Sequence, residues 1–442
     1  MKPSISLRRV LASWQLVAAL TLVGGAAIAA PKPHYVNINT VSDVPGLAFQ
    51  TDPLLVNPWG ISTGVENNIR VADEGAGVAT LYAPDGDLLD FSGTAAPLNH
   101  SIAIPSTTGT ALPTGVADNQ KALLETTDSN DFLITSGTVT KASHFIYCTE
   151  DGLIAGYNPA VSATSAILAV NESGTDAGFT GCAISWSGTS EKLIDLNHRL
   201  VVADFAKEKV EEFDQSFALT STNATFIDPN LPAPPIVGGT TYSWSPFNVH
   251  TLDFKGRLAT STEKETIHHL IIVTYALHNK ALTPLNDVPE ISGTFYGYAS
   301  VFTTDGTLVT PNPLGSIASQ AGKLSSPWGV AVAHNPLPDL GAPILVMIGS
   351  HGTGVIHAFA IDPRFPDLNK DLGTVKKDDA GDPLTIEGLW GLRFGDKKIT
   401  IAEYTASDGQ DLIEDTKDFY FSAGPLGEMH GLLGRIVHEL AP

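Results

Sequence analysis

One short turn-and-strand unit, repeated along the chain, limits what this sequence can fold into more than any other feature. Asn57-Pro58-Trp59-Gly60-Ile61 returns as Ser326-Pro327-Trp328-Gly329-Val330 and again as Gly388-Leu389-Trp390-Gly391-Leu392. Weaker relatives are Pro113-Thr114-Gly115-Val116, Thr180-Gly181-Cys182-Ala183-Ile184 and Ser245-Pro246-Phe247-Asn248-Val249. Aligned on the glycine or its replacement, they fall at positions 60, 115, 181, 248, 329 and 391. The spacings are 55, 66, 67, 81 and 62 residues, and six units in about 410 residues agree with that period. Self-similarity at a fixed period is the signature of a repeat architecture.

Each unit continues in the same order. An alternating strand follows the Trp-Gly, then a polar turn, then a strand ending in small or acidic residues, as in Ile69-Arg70-Val71-Ala72-Asp73-Glu74-Gly75 and Leu200-Val201-Val202-Ala203-Asp204-Phe205. A third strand closes on Asp-Gly or Asp-Pro, as in Val78–Gly86, Ala299–Gly306 and Val355–Pro363. Short β-rich runs with period-two alternation between Gly, Pro, Asp and Asn turns read as strands. No helix of twelve or more residues with a 3.6 period is visible. Small sheets repeated six times describe an all-β, six-bladed β-propeller. A tandem of β-sandwiches would have shorter, less ordered turn spacing and no Trp-Gly echo.

The sixth unit is read with strands at Ile399–Ala402, Phe419–Phe421 and Leu433–His438. The alternating segment Tyr35–Thr40 precedes the first Trp-Gly and has no blade of its own. Pairing it into the sixth blade leaves no open sheet edge, and the N-terminal strand is expected there.

The first 29 residues are read as a signal peptide. Lys2, Arg8 and Arg9 form a basic start, an apolar run extends from Leu16 to Ala30, and Ala27-Ile28-Ala29 offers small residues for cleavage. Residues 30–442 then form one propeller domain, because Gly and Pro are spread evenly and no linker divides them. The expected location is extracellular, or periplasmic in a Gram-negative host. No later apolar run is long enough for a membrane span, and the end at His438–Pro442 has no hydrophobic anchor.

The formal charge is -22, moving to about -25 without the signal, with 22 basic against 47 acidic residues. Such a surface repels nucleic acid and anionic membrane and favours cations. The expected partner is a protein, glycan or small molecule, and the chain is expected to be a monomer. The two cysteines, Cys148 and Cys182, read either as a disulfide in an exported protein or as two buried small hydrophobes. Asn99, Asn171 and Asn223 stand in Asn-x-Ser/Thr triplets, which matter only in a glycosylating host.

In a propeller blade the start of the first strand and the end of the second share a face. The Trp-Gly segments and the Asp-Glu-Gly type turns should therefore ring one mouth of the central channel, gathering Asp73, Glu74, Asp204, His351, Glu403, Glu150 and Asp151. The first five are candidate ligands for Ca²⁺ or another divalent cation. The competing reading is structural: an Asp closing a strand accepts backbone N–H bonds in the turn, and repeated Trp packs as a wedge between blades. His100, His250, His351 and His430 lie in different units and could meet on the axis. The adjacent pair His268-His269 points to opposite faces of a strand and cannot easily serve one metal. The stretch Ala276–Ser292 is an insertion in blade four, and Asp408–Asp415 is an acidic loop without the spacing of a standard Ca²⁺ site. No Gly-x-Ser-x-Gly, His-Glu-x-x-His, phosphate loop or dinucleotide fingerprint occurs.

The Pro-Trp-Gly and Leu-Trp-Gly units, together with Cys148-Thr149-Glu150-Asp151-Gly152, Asp228-Pro229-Asn230-Leu231-Pro232, Phe421-Ser422-Ala423-Gly424-Pro425 and His430-Gly431-Leu432, span almost the whole chain. In this the chain resembles a family of exported, largely uncharacterised β-propeller proteins, and more generally NHL-repeat proteins. Some bacterial members of that family carry a C-terminal PEP-CTERM sorting tail, which this sequence lacks. The resemblance implies fold and export and supplies no catalytic residues. Two functions from different classes follow: an extracellular binding or scaffold propeller, or a divalent-cation-dependent lactonase- or lyase-like enzyme with its site on the axis.

Overall fold

The fold is seen in a computed structural model, which describes residues 34–64, 67–91, 100–107, 109–124, 129–187, 197–220, 226–256, 266–279, 281, 287–291, 293–334, 344–378, 380–395 and 419–439. Six sheets of three to five strands form the blades of a propeller, antiparallel apart from a short parallel pairing of Val41 and Ser42 with Gln50 and Thr51, and three two-stranded sheets accompany them. The innermost strands are Pro58–Ser62, Pro113–Asp118, Phe179–Ser187, Ser243–Gly256, Pro327–His334 and Leu389–Phe394, and each begins at or beside one of the six repeated turns. The pairings Pro58 with Asp73 and Pro327 with Ser350 place the start of a first strand beside the end of its second, as the sequence pattern predicts.

Period-two alternation acts twice in this architecture, because every sheet is covered on both faces. In blade three, Leu200 and Val202 pack with Ile146 and Ile154 of blade two. Their neighbours Val201 and Ala203 pack with Val249, Ile271 and Val273 of blade four. The other four blade interfaces are built alike. Fully burying a Val, Leu or Ile contributes about 1.5–3 kcal/mol, so the inter-blade layers are the main source of stability.

The strand predicted to close the ring does so. His34–Ser42 pairs antiparallel with Leu432–Glu439, Tyr35 opposite His438 and Ser42 opposite Leu432. The Thr40 and Ser42 hydroxyls donate to the carbonyls of Leu433 (2.9 Å) and Gly431 (2.7 Å), and Val41 is buried between blades six and one. The inner strand of blade six is Leu389–Phe394, the Trp-Gly unit itself; Ile399–Ala402 lies outside the described residues. The blade-four insertion begins later than read: Ala276–His278 still belong to the second strand, Thr266–His278, and the extra residues lie between it and the third, Tyr298–Thr303.

The repeated glycines mark where one inner strand touches the next. A Cβ on Gly60 would stand 2.7 Å from the Thr114 carbonyl oxygen, one on Gly115 would stand 2.8 Å from the Cys182 nitrogen, and one on Gly391 would stand 2.6 Å from the Trp59 oxygen. A Cβ on Gly181 would strike Asn248, and one on Gly329 the Trp390 carbonyl. Asn248 is the one side chain in this ring, and its Nδ2 donates to the Trp328 oxygen at 2.7 Å. Gly391→Ala is therefore expected to destabilise the protein by about 1–3 kcal/mol through overpacking against backbone. Gly174→Ala, which meets nothing within 4 Å, should stay within about 0.5 kcal/mol of wild type. Urea unfolding midpoints of the two variants check this.

Candidate functional site

Large aromatics, Trp59, Phe247, Trp328 and Trp390, stand immediately before four of the six ring positions and pack into one buried cluster. Trp59 lies flat on Trp390, centroids 3.6 Å apart, and Trp328 meets both edge-on at 5.8 Å. Phe205, Phe247 and Ala276 complete this buried cluster. Trp328 of blade five donates its indole N–H to the Thr180 carbonyl of blade three at 2.8 Å, skipping blade four. The Trp390 indole donates to Asn57 Oδ1 at 3.0 Å. Asn57 and Ser326, each before a proline, sit in the left-handed region at φ 44° and 43°. That region is uncommon for side chains other than Asn and Asp, and here it turns the chain sharply into the plug. The tryptophans are thus packing residues that fill the axis.

Around this plug the structure places the residues singled out from sequence. Asp73 is fully buried in blade one and accepts from the Thr80 hydroxyl at 2.7 Å; burial pushes its carboxyl well up. Asp204 accepts from the backbone N–H groups of Gly178 (3.0 Å) and Lys207 (3.1 Å), and burial raises it to about 6. Both close turns. Glu74 accepts from Asn57 Nδ2 at 2.7 Å, which ties it to the plug. His351 stacks on the far face of Trp390 at 3.7 Å, with Nε2 3.2 Å from Glu428 and Nδ1 3.3 Å from the Leu389 carbonyl. Glu403 and Asp408–Asp415 lie outside the described residues.

Glu74, Glu150 and Glu428 feel one another's charge: burial first, then Glu74, Glu428 and Asp151, push Glu150 up to about 8. Among the described residues no group of three or more His, Cys, Asp or Glu side chains could hold a metal ion. Cys148 and Cys182 are buried free thiols where blades two and three meet. The hydrogen bond with Cys148, then burial, hold the Cys182 thiol well up.

The concavity lies at the opposite end of the axis. Past the ring glycines the inner strands diverge into an open funnel, with Trp328 in its lining beside Gly60, Gly115 and Gly391. Its wall carries Ser62, Asp118 and Gln120, Trp186, His250, and Arg393, from blades one, two, three, four and six. Asp118 accepts from the Ser62 hydroxyl and the Gly64 N–H, and Arg393 Nη2 stands 3.6 Å from it. Arg393 also donates through Nε to the Thr63 hydroxyl at 3.2 Å, so it spans the rim from blade six to blades one and two. Trp186 donates to Asp253 at 3.0 Å, and His269 Nδ1 bonds the same oxygen at 2.7 Å.

His250 has no hydrogen-bond partner among the described residues. Burial, reinforced by the charge of Arg393, depresses it to about 3 and keeps the imidazole neutral. Of the four histidines that could meet on the axis, His250 alone lines the funnel. His351 caps the plug, while His100 and His430 pair with Asp52 at 2.8 Å and Asp43 at 2.7 Å. Asp118 and Arg393 escaped sequence reasoning because they belong to different repeats. One signal was present: Ser62, Asp118, His250 and Arg393 stand two or three places after an aligned ring position and interrupt otherwise apolar inner strands.

The plug gives a pH prediction. Burial pulls the His351 pKa down, but the bond to Glu428 and the charges of Asp287 and Glu428 outweigh it, and the net shift is upward. Its contribution to stability is complete below the unfolded value of about 6.5 and is lost as pH rises through the higher folded value. Urea midpoints of wild type should therefore fall relative to those of His351→Asn as pH rises above about 6.5; parallel pH profiles would count against this partnering.

No protein-family model matches the chain. Two uncharacterised proteins of Acanthamoeba polyphaga mimivirus are similar in sequence. One is 28% identical over 404 residues, 90% of this chain and 79% of its own. The other is 26% identical over 413 residues, 93% of this chain and 87% of its own. Among solved structures, a catalytically inactive virginiamycin B lyase from Staphylococcus aureus with quinupristin aligns over 92% of this chain and 99% of its own, at TM-score 0.36 and 8% identity. The PQQ-bound aldose sugar dehydrogenase of Streptomyces coelicolor covers 92% of this chain and 100% of its own, at TM-score 0.36 and 11% identity. These likenesses concern architecture alone.

Proposed function

We propose that this chain is an exported, NHL-like binding propeller that takes a small polar ligand into the axial funnel. One observation carries the reading: the funnel gathers side chains of five blades, and an unpartnered His250 stands in its wall within the field of Arg393. A concave site with a few convergent polar groups is the usual form of a small-molecule site. The basic start and apolar run of residues 1–29 support export, into the extracellular space or a Gram-negative periplasm. No helix among the described residues is long and apolar enough to cross a membrane.

The test is a thermal-shift and calorimetric screen of the mature protein against small polar metabolites, beside Thr251→Trp, which fills the funnel. A ligand at a hundred times its Kd stabilises by about 2.7 kcal/mol, and that gain should vanish in Thr251→Trp. A ligand bound equally by both proteins sits elsewhere and overturns the reading. Metal retained through purification, with a fall in Tm after chelation, would favour the divalent-cation-dependent lactonase- or lyase-like enzyme instead. Mass spectrometry of the exported chain should find Ala30 at its start, and retention of Arg8 and Arg9 there would remove the export part.

A further inference from the structure

We propose that the group recognised in the funnel is an oxyanion, a carboxylate or phosphate on a small polar molecule, held between the His250 imidazole and the Arg393 guanidinium. The inference rests on reading the funnel as a ligand site, and it follows from which polar groups there are already engaged. Asp118 takes the Ser62 hydroxyl, the Gly64 N–H and the Arg393 guanidinium. Asp253 takes the Trp186 indole and the His269 ring. Asp118 in the funnel wall, and Asp253 behind Trp186, are therefore supplied with donors from the protein. His250 has neither donor nor acceptor opposite it, and a neutral imidazole always presents one N–H.

A cationic ligand at His250 would meet the Arg393 charge, the same charge that helps keep the ring neutral. An oxyanion would accept the imidazole N–H and lie in the field of the guanidinium. Hydrogen bonds to charged oxygens are roughly twice as strong as neutral ones. The charged groups that act on His250 among the described residues are Arg393 from blade six, which lowers its pKa, and Asp253 of its own blade, which raises it, while Asp118 from blade two shares the funnel wall. An anion added to this set opposes Arg393 and favours the imidazolium, so binding draws in a proton and tightens as pH falls.

Three probes that share one ring test this by calorimetry: glucose, glucuronate and glucose 6-phosphate. They are neutral, carboxylate-bearing and phosphate-bearing. One or both anions are expected to bind the mature protein at least tenfold more tightly than glucose, and whichever does so identifies the oxyanion. Glucuronate, whose carboxylate stays ionised across this range, should bind more strongly at about pH 5 than at pH 7.5, with heats that depend on the ionisation enthalpy of the buffer. His250→Phe should lose at least tenfold in affinity and the proton uptake, with Tm near wild type. His250→Gln, which restores an N–H but cannot take the proton, should recover affinity without the pH dependence.

Glucose binding as tightly as both anions overturns the proposal. So does anion affinity unchanged in His250→Phe, or the absence of saturable binding by either anion at millimolar concentration. A neutral ligand that binds wild type and not Thr251→Trp would leave the funnel reading standing while refuting the oxyanion.

Discussion

Contact between the backbones of neighbouring inner strands, at one level around the axis, sets everything else in this molecule. At that level there is no room for a side chain on most blades, so glycine occupies positions 60, 115, 181, 329 and 391. Only Asn248 differs, and it turns its amide onto the next strand's carbonyl. Because the strands touch there, the residues just before the contact are driven together on the axis, where large aromatics fill the space. Those just after it diverge, and a funnel opens. The plug and the site are therefore two consequences of one close approach.

The two ends of the axis differ in electrostatic character. At the plug, Glu74, Glu150 and Glu428 crowd around a stacked His351, and burial raises the pKa of Glu74 and Glu150. At the funnel, the carboxylates are supplied with donors and the unpartnered group is a neutral imidazole beside a guanidinium. A net charge of -22 describes the whole surface and says little about this cavity. A ligand that the surface repels at long range can still be favoured once inside, where water screens Arg393 less than at the outer surface.

The architecture was legible because its signals are backbone requirements. Gly60, Gly329 and Gly391 are forced by carbonyl oxygens of the next blade, and such a requirement repeats wherever the geometry repeats. The closing strand was legible for a related reason: Tyr35–Thr40 alternates like a blade strand yet has no blade. The site was not legible in the same way. Asp118, His250 and Arg393 occur once each, on three blades, and only the ring brings them together. The acidic residues chosen from the turns were visible because turns repeat; Asp204 accepts backbone N–H bonds there, and Asp73 takes the hydroxyl of Thr80 on the neighbouring strand.

The pairing of residues 34–42 with residues 432–439 also dictates when the molecule can become native. The first strand to leave a ribosome finds its partner only after nearly four hundred further residues have been made. Until then Val41 and Tyr420 have no complete interface to enter, and the ring stays a string of blades with two raw ends. Closure of the ring is thus coupled to the arrival of residues 432–439, the one partner that residues 34–42 can pair with in the native sheet.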